Sequence, residues 1–509
     1  MPTYLLAHDL GTSGNKATLY TTEGALVKSA TYGYALKTKG GDCAEQDPLA
    51  WWKAVCDSTK ELTTEINPAD IAAVSFSGQM MGCVCVDKNG ESLRDSLIWA
   101  DMRSTREENI IRGEMSDEAF YKITGNRLSP SYSATKLMWV RDNEPDVYKN
   151  TYKMLNAKDF IILKLTGKFV TDPSDASLTC LMDLNTLKWS DELVSVCGLD
   201  KGMLPDVLSS VAVAGGVTEA AARECGLLAG TPVVCGGGDG ACAAVGTGSV
   251  RENEANLSLG TSSWISFASK KAVFDENMMT FNFAHLVPGY VVPCGTMQTG
   301  GGALSWAVNT LGTFGRDKAQ IDKNELYANV CAAVEASPIG AKGLLFLPYL
   351  MGERSPRWNN KAKGSFVGLT MEHNTGDMLR AVMEGVGMNL SIILEAFRNS
   401  GADINRLTAI GGGVRNPIWR QILSDILGVT IDIPNFLEEA TSMGAAIAAG
   451  VGVGAFEDFN VIGKFLKNEY TYTPDLSKKP FYDEIKPIFD KCYFDLVNIN
   501  EQLHTIAAK

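Results

Sequence analysis

The feature that most constrains this chain is an internal echo. Leu10-Gly11-Thr12-Ser13 follows the apolar run Tyr4 to Ala7, and Leu259-Gly260-Thr261-Ser262 closes the apolar run Ala255 to Leu259, 249 positions later. Both copies sit where a strand should end in a tight turn. A duplicated α/β domain is the natural reading, and 509 residues are enough for two large domains. Two further strands run into glycines. Thr231 to Cys235 leads into Gly236-Gly-Gly-Asp239-Gly240, and Leu407 to Ile410 leads into Gly411-Gly-Gly-Val-Arg415-Asn416. In α/β folds ligands bind beyond the carboxyl ends of strands, where glycines let backbone amides approach an anion. One glycine turn can merely join a strand to a helix. Four such turns imply a large anionic ligand held from several sides.

Composition narrows the partners. A formal net charge of −13 disfavours nonspecific binding to nucleic acid or an anionic membrane, but permits a small anion held by amides. The N-terminus lacks a basic region, and Asp9 interrupts its apolar run, so no secretory signal is expected. The uncharged stretch Ala440 to Phe456 reads as a buried helix rather than a membrane span. Twelve scattered cysteines predict reduced thiols and a cytoplasmic protein; Cys83 and Cys85 fit alternation in a strand better than a metal site. Asp377 to Arg398 predicts a long buried helix interrupted by Gly385 and Gly387. Ile485, Phe489, Cys492, Leu496, Ile499 and Leu503 predict an amphipathic C-terminal helix packed on the second domain. The domain boundary is expected after the Asp239 turn, giving 1–248 and 249–509.

Several nucleotide-binding classes are excluded. The chain has no Gly-x4-Gly-Lys-Ser/Thr, no protein-kinase set, no Gly-x-Ser-x-Gly elbow and no Gly-x-Gly-x-x-Gly. The paired Gly-Thr-Ser turns and the late Gly-Gly-Gly-x-Arg-Asn instead resemble the actin-like ATPase superfamily. Within it, two stretches are similar to the signatures of the FGGY sugar kinases: Ser131-Tyr-Ser-Ala-Thr-Lys136-Leu-Met-Trp139-Val-Arg-Asp-Asn143, and Gly364-Ser-Phe-Val-Gly368-Leu followed by Asp377-Met-x-x-Ala381-Val-Met-Glu384. Phe346-Leu-Pro-Tyr-Leu-Met-Gly-Glu-Arg-Ser-Pro356 is a further family block. Glu45-Gln46-Asp47-Pro48, Trp51-Trp52, Gly78-Gln79-Met80, Ile123-Thr-Gly-Asn126 and Asn156-Ala-Lys158-Asp159 resemble the xylulokinase-like subgroup. Glycerol kinases carry an Asn-Gln-Arg-Glu segment where this chain has Ser77-Gly78-Gln79-Met80, and an apolar pair in place of those ionic partners disfavours glycerol.

The resemblance implies an α/β fold of two actin-like (ribonuclease H-like) domains around a cleft, with sugar on the first and ATP mostly on the second. It implies phosphorylation of a terminal hydroxyl, with D-xylulose as the leading substrate and D-xylulose 5-phosphate as product. The alternatives are another ketose, polyol or aldonate, and, more remotely, a non-catalytic nucleotide-binding module. Asp239 is implied as the general base, ionised at neutral pH with an ordinary pKa; a helix cap is its bland alternative. Asp9 is implied to hold Mg2+ through a water, with capping of its own turn as the alternative. Gly11, Thr12, Ser13, Gly260, Thr261 and Ser262 are implied at the terminal phosphates, Gly300 and Gly301 near α-phosphate and ribose, and Gly411, Gly412 and Asn416 beside adenosine. Gln79, Met80, Met81, Asp101 and Asp239 are the sugar-side candidates. Three positions depart from the subgroup pattern: Met81, Gly240 and Ala100 stand where polar side chains are usual. His8 is expected to be a half-buried strand histidine, and of Trp51, Trp52 and Trp99 at least one should be core. A homodimer is the one protein partner the resemblance suggests.

Overall fold

A computed structural model describes residues 3–311 and 323–507. Two mixed sheets carry the fold. In the first, β1 (Tyr4–Leu10), β2 (Gly14–Thr21) and β3 (Leu26–Gly33) form an antiparallel meander. On the other side of β1 lies β4 (Ile71–Gly78), parallel to it. Beyond that come β5 (Val213–Gly216) and β6 (Pro232–Val234), and the short β7 (Gly237–Gly238) also pairs with β4. The second sheet repeats this order. Its meander is β8 (Ala255–Leu259), β9 (Ser263–Phe267) and β11 (Val291–Met297), with β10 (Phe281–Ala284) at the edge. Parallel to β8 run β12 (Arg406–Ile410) and β13 (Thr430–Pro434), and β14 (Asn468–Tyr472) closes that side. In both sheets the first strand sits centrally, with a hairpin partner on one side and a parallel strand on the other. The two Gly-Thr-Ser segments are the matching hairpin turns, since Leu10 pairs with Asn15 and Leu259 with Ser263.

Each sheet is covered by helices. α1 (Pro48–Thr63) starts at the side-chain cap of Asp47 and buries Trp51 and Trp52 against the first sheet. The second sheet carries α6 (Thr375–Asn399), whose Gly385 is required by proximity: a Cβ there would lie 2.1 Å from the Phe346 carbonyl oxygen. α9 (Lys479–Ala507) packs through Ile485, Phe489, Cys492 and Leu496. The expected stripe stops there, because Ile499 and Leu503 are about half exposed (50% and 51%).

A cut after residue 248 does not separate the two cores. α4 (Asp239–Gly246) follows the Gly-rich turn, and α8 (Ala440–Gly452), from the second half of the sequence, crosses it and lies on β1 and β4. The crossing depends on small residues. A Cβ on Gly246 would meet the Ala440 carbonyl oxygen at 1.8 Å, and one on Gly444 would meet that of Cys242 at 2.0 Å. Phe456, Phe459, Ile462 and Phe465 continue in the same core as Leu5 and Ala7. No described helix is long and apolar enough to cross a membrane.

Candidate active site

Three strand ends converge. Asp9 on β1 is level with Ser77 on β4, which is level with Gly237 on β7, so Asp9, the Gly78-Gln79 turn and Gly238-Asp239 meet at one edge. Asp9 is held from both halves: Ser77 Oγ donates to Oδ1 at 2.8 Å and Thr441 Oγ1, from α8, to Oδ2 at 2.6 Å. Asp239 is the first residue of α4, with Gly238 at the cap position, so the alternative role of helix cap falls to Gly238. Its Oδ1 accepts the Gly240 amide at 2.7 Å. Desolvation, and then the neighbouring Asp9 charge, push the Asp239 carboxyl up to about 7, while the Gly240 amide and Arg354 pull back. The expectation of an ordinary pKa is therefore revised: the group is poised near neutrality.

The second-half nucleotide candidates gather around a cavity of about 1030 Å³ lined by Gly260, Thr261, Gly301, Gly412 and Asn416, with Tyr327, Cys331 and Arg415 also on its wall. Asn416 caps α7 (Pro417–Leu427) through Oδ1, which accepts the Ile418 and Trp419 amides, while its buried Nδ2 has no partner among the described residues. Gly300, Gly411 and Ser262 are not on the wall. The first two serve packing: a Cβ on Gly300 would strike Ser263 Cβ at 2.5 Å, and Gly411 holds φ +95° against the Leu259 carbonyl. The Gly301 amide donates to the Gly260 carbonyl at 2.7 Å, locking the start of α5 (Gly301–Leu311) to the β8–β9 turn. In the first half, the Gly11 amide closes its turn on Gly14 O at 3.0 Å, and Ser13 is exposed. The Thr12 hydroxyl accepts from Trp99 Nε1 at 2.8 Å.

On the sugar side the candidates divide. Gln79 donates from Nε2 to Gln46 Oε1 at 2.8 Å, and its own buried Oε1 has no partner among the described residues. Met80 is buried against Gly238, behind the Asp239 turn. Met81 adopts φ +62°, a left-handed conformation a methionine rarely takes, and its carbonyl accepts from Lys136 Nζ at 2.8 Å. Asp101 does not stand free for a sugar hydroxyl. It is fully buried, accepting from the Ala44 amide at 2.7 Å and pairing with Arg103 at 2.7 Å. His8 is wholly buried rather than half-buried; it stacks on Phe76, its Nδ1 is 3.1 Å from Asn15 Nδ2, and desolvation lowers its pKa to about 4. Trp51 and Trp52 are core, while Trp99 is only partly buried and packs at the edge of that core.

One further residue stands at this edge, from the Glu353-Arg354-Ser355-Pro356 block. Arg354, from the second half, reaches across so that its guanidinium lies 5.6 Å from the Trp99 ring, and its buried Nε has no partner among the described residues. The signal was the Glu-Arg-Ser-Pro block itself, which does not say which way the arginine points.

For a metal, no group of three His, Cys, Asp or Glu side chains converges among the described residues. That excludes a protein cage there and fits Mg2+, which keeps most of its waters and takes one or two carboxylates plus substrate phosphates. Asp9 meets this need. Each oxygen accepts one hydroxyl, and each retains a lone pair for a metal-bound water.

This geometry has counterparts. The N-terminal-domain model of the FGGY family of carbohydrate kinases matches residues 4–246, and the C-terminal-domain model of that family matches residues 255–453. The chain belongs to the FGGY family of carbohydrate kinases. This FGGY kinase is 32% identical to a xylulose kinase of Escherichia coli over 96% of its own length and 98% of the relative's. It is 30% identical to a gluconokinase of Bacillus licheniformis over 96% and 95%. Among solved structures, the ligand-bound xylulose kinase of Lactobacillus acidophilus superposes with a TM-score of 0.91 at 28% identity, covering 98% of this chain and all of that one. The FGGY kinase therefore has the two-domain fold of the actin-like ATPases and is an ATP-dependent carbohydrate kinase with a sugar substrate.

Proposed function

We propose that the chain transfers the γ-phosphoryl group of Mg-ATP to the terminal primary hydroxyl of D-xylulose, forming D-xylulose 5-phosphate. The observation that carries the mechanism is Asp239: a carboxylate poised near pH 7 at the end of β7, level with the β4 end that flanks Asp9. Xylulose kinases among the relatives support the sugar. In the reaction the hydroxyl oxygen forms the new O–P bond as the bond to the ADP oxygen breaks, and Asp239 accepts the hydroxyl proton. Mg2+ would neutralise phosphate charge, and Asp9 would orient one of its waters. The first half holds sugar through Gln79 Oε1, with Trp99 at its edge. The second half holds ATP in the cavity at Gly260, Gly301, Gly412 and Asn416, with the Asn416 Nδ2 donor free for it.

A second reading, an aldonate kinase, is favoured by Arg354. Its unpartnered Nε beside Trp99 suits a carboxylate, while Met81, Gly240 and Ala100 offer no side-chain hydrogen bond to a ketose. Release of ADP from the purified protein with Mg-ATP, against pentuloses, hexuloses, polyols and aldonates, tests both. At least about tenfold higher kcat/KM on D-xylulose supports the proposal, a discrimination well within what a hydrogen-bonding site gives. Preference for an aldonate transfers it to the second reading, and no turnover of any sugar removes both. Free thiols at all twelve cysteines support a cytoplasmic setting. The acidic charge supports a protein that binds no nucleic acid, and a homodimer remains part of the proposal, to be read from its mass in solution.

A further inference from the structure

Beneath the convergent strand ends lies a buried charge cluster to which the chemistry above assigns nothing. Lys158 is fully buried, with Nζ 2.6 Å from Asp159 Oδ1, 2.9 Å from Asp172 Oδ1 and 3.2 Å from Asp175 Oδ2. All three carboxylates are themselves buried. Burial opposes the charge on Lys158, but the three aspartates outweigh it and hold the ammonium protonated. The cluster forms where two helices start. α2 (Ala157–Thr166) is capped by Asn156, with Asp159 reaching back to the Asn156 amide, and α3 (Pro173–Ser177) is capped by Asp172. Burial pushes the Asp175 carboxyl well above the usual carboxylate range, which favours its neutral form, so one lysine need not balance three charges.

Two arms leave this cluster, and each ends on backbone at the reacting edge. In the first, Asp172 Oδ2 accepts from Ser174 Oγ at 2.6 Å, and Ser174 Oγ accepts the Gly238 amide at 2.9 Å, one residue before Asp239. Ser210 Oγ also donates to Asp172 Oδ2, at 2.8 Å, so the anchor is fixed from two sides. In the second, Asn156 Oδ1 accepts the Gly82 amide at 2.9 Å, and the Lys158 Cβ backs Gly78 so closely that a Cβ there would lie 3.0 Å away. Gly78 to Gly82 is the turn that carries Gln79, Met80 and Met81. A buried ion cluster adds little net stability against an apolar core of equal shape, yet removing one partner is costly. Its distinctive property here is that it fixes two loops relative to each other.

We propose that Lys158, Asp172, Ser174 and Asn156 are positioning residues that set the distance between the Asp239 base turn and the Gly78–Gly82 sugar turn. The inference rests on the reading of Asp239 as base. Geometry errors of about 1 Å at a reacting centre can cost on the order of 10²-fold in rate, so the two arms should have different kinetic signatures. Ser174→Ala cuts the first arm and Asn156→Ala the second, each in the full-length protein, assayed with Mg-ATP and the sugar preferred in the panel. S174A is expected to lower kcat about tenfold or more, leave the KM for ATP within about twofold, and displace the acid limb of kcat/KM. N156A is expected to raise the sugar KM about fivefold or more with a smaller effect on kcat. If both variants keep kcat and sugar KM within about twofold of the unaltered protein, the proposal is overturned. It is equally overturned if the losses disappear once rates are expressed per folded molecule, judged from the unfolding transition. Asp239→Asn is run alongside. An active D239N overturns the base reading, whereas an inactive D239N with normal S174A and N156A overturns only the positioning role.

Discussion

In the proposed mechanism the chemistry falls to a few side chains whose environments, not identities, set their behaviour. Asp239 is an ordinary aspartate moved to about 7 by burial and the Asp9 charge. Because its pKa is raised, the basic form is present above that value and lost as pH falls through it. The kcat/KM profile should therefore rise through about pH 7 and level off above it, and D239N should lose on the order of 10³-fold or more in kcat with its melting transition intact, as a stopped or coupled ADP assay would read. Activity at or near the unaltered level in D239N would remove the base. A separate residue-scale outcome concerns Arg354. R354A should raise the KM of the preferred sugar by about tenfold if its free Nε reaches substrate, and an unchanged KM would confine it to the interface with Trp99.

At the scale of elements, the fold depends on close approach between small residues. Gly444→Ala places a methyl carbon against the Cys242 carbonyl where α8 crosses α4. Overpacking of this kind costs about 1–3 kcal/mol or more, visible as a lower denaturant midpoint at unchanged slope. On α9, Phe489→Ala should cost about 3–5 kcal/mol, while Leu503→Glu, on the exposed end of the same helix, should stay within about 0.5 kcal/mol. The hairpin turns were legible in the sequence, because a Gly-Thr-Ser turn after an apolar run has few other structural uses. Gly385 was visible as an interruption, though not the carbonyl that requires it. Asp101 was legible as polar and near the site but not as spent on Arg103, since a partner two residues away leaves no periodic trace. Asp239's shifted pKa was illegible because burial, its larger cause, and the charge of Asp9, far away in sequence, both arise only in the fold. The packing of α8 on the first sheet had no signal either, because a helix of alanine and glycine suits any neighbour of matching curvature.

For the whole molecule, His8 and His285 act together. Both are fully buried with pKa values lowered to about 4 by desolvation, from an unfolded value near 6.5. The unfolded chain binds these protons first, so the stability tied to keeping them neutral is complete above about pH 6.5 and is lost as pH falls toward 4. Each shift corresponds to on the order of 3 kcal/mol. Asp239 and Glu353, whose carboxyls burial pushes up to about 7 and about 8, take up protons on folding and oppose this, so the histidine share is read by difference. His8→Gln should lose part of the acid sensitivity of the thermal midpoint between about pH 6.5 and 4, and an unchanged pH dependence would mean that His8 charges without unfolding. Mg-ATP in excess of its Kd should raise the midpoint, as any ligand of the folded state does.

The path of α8 has a consequence for anyone who would divide or recombine such chains. The backbone passes from first core to second, returns at Ala440 to cover β1 and β4, and leaves again after Phe465 for β14. A fragment ending at residue 248 would thus lack the cover over Leu5, Ala7 and Ala73, and should be recovered insoluble unless residues 440–466 are supplied with it. By the same logic, a chimaera that takes its first half from one parent must inherit that return segment from the same parent. The repeat is visible in the strand order, but its two copies are interleaved in space, and the exchangeable unit is not the half.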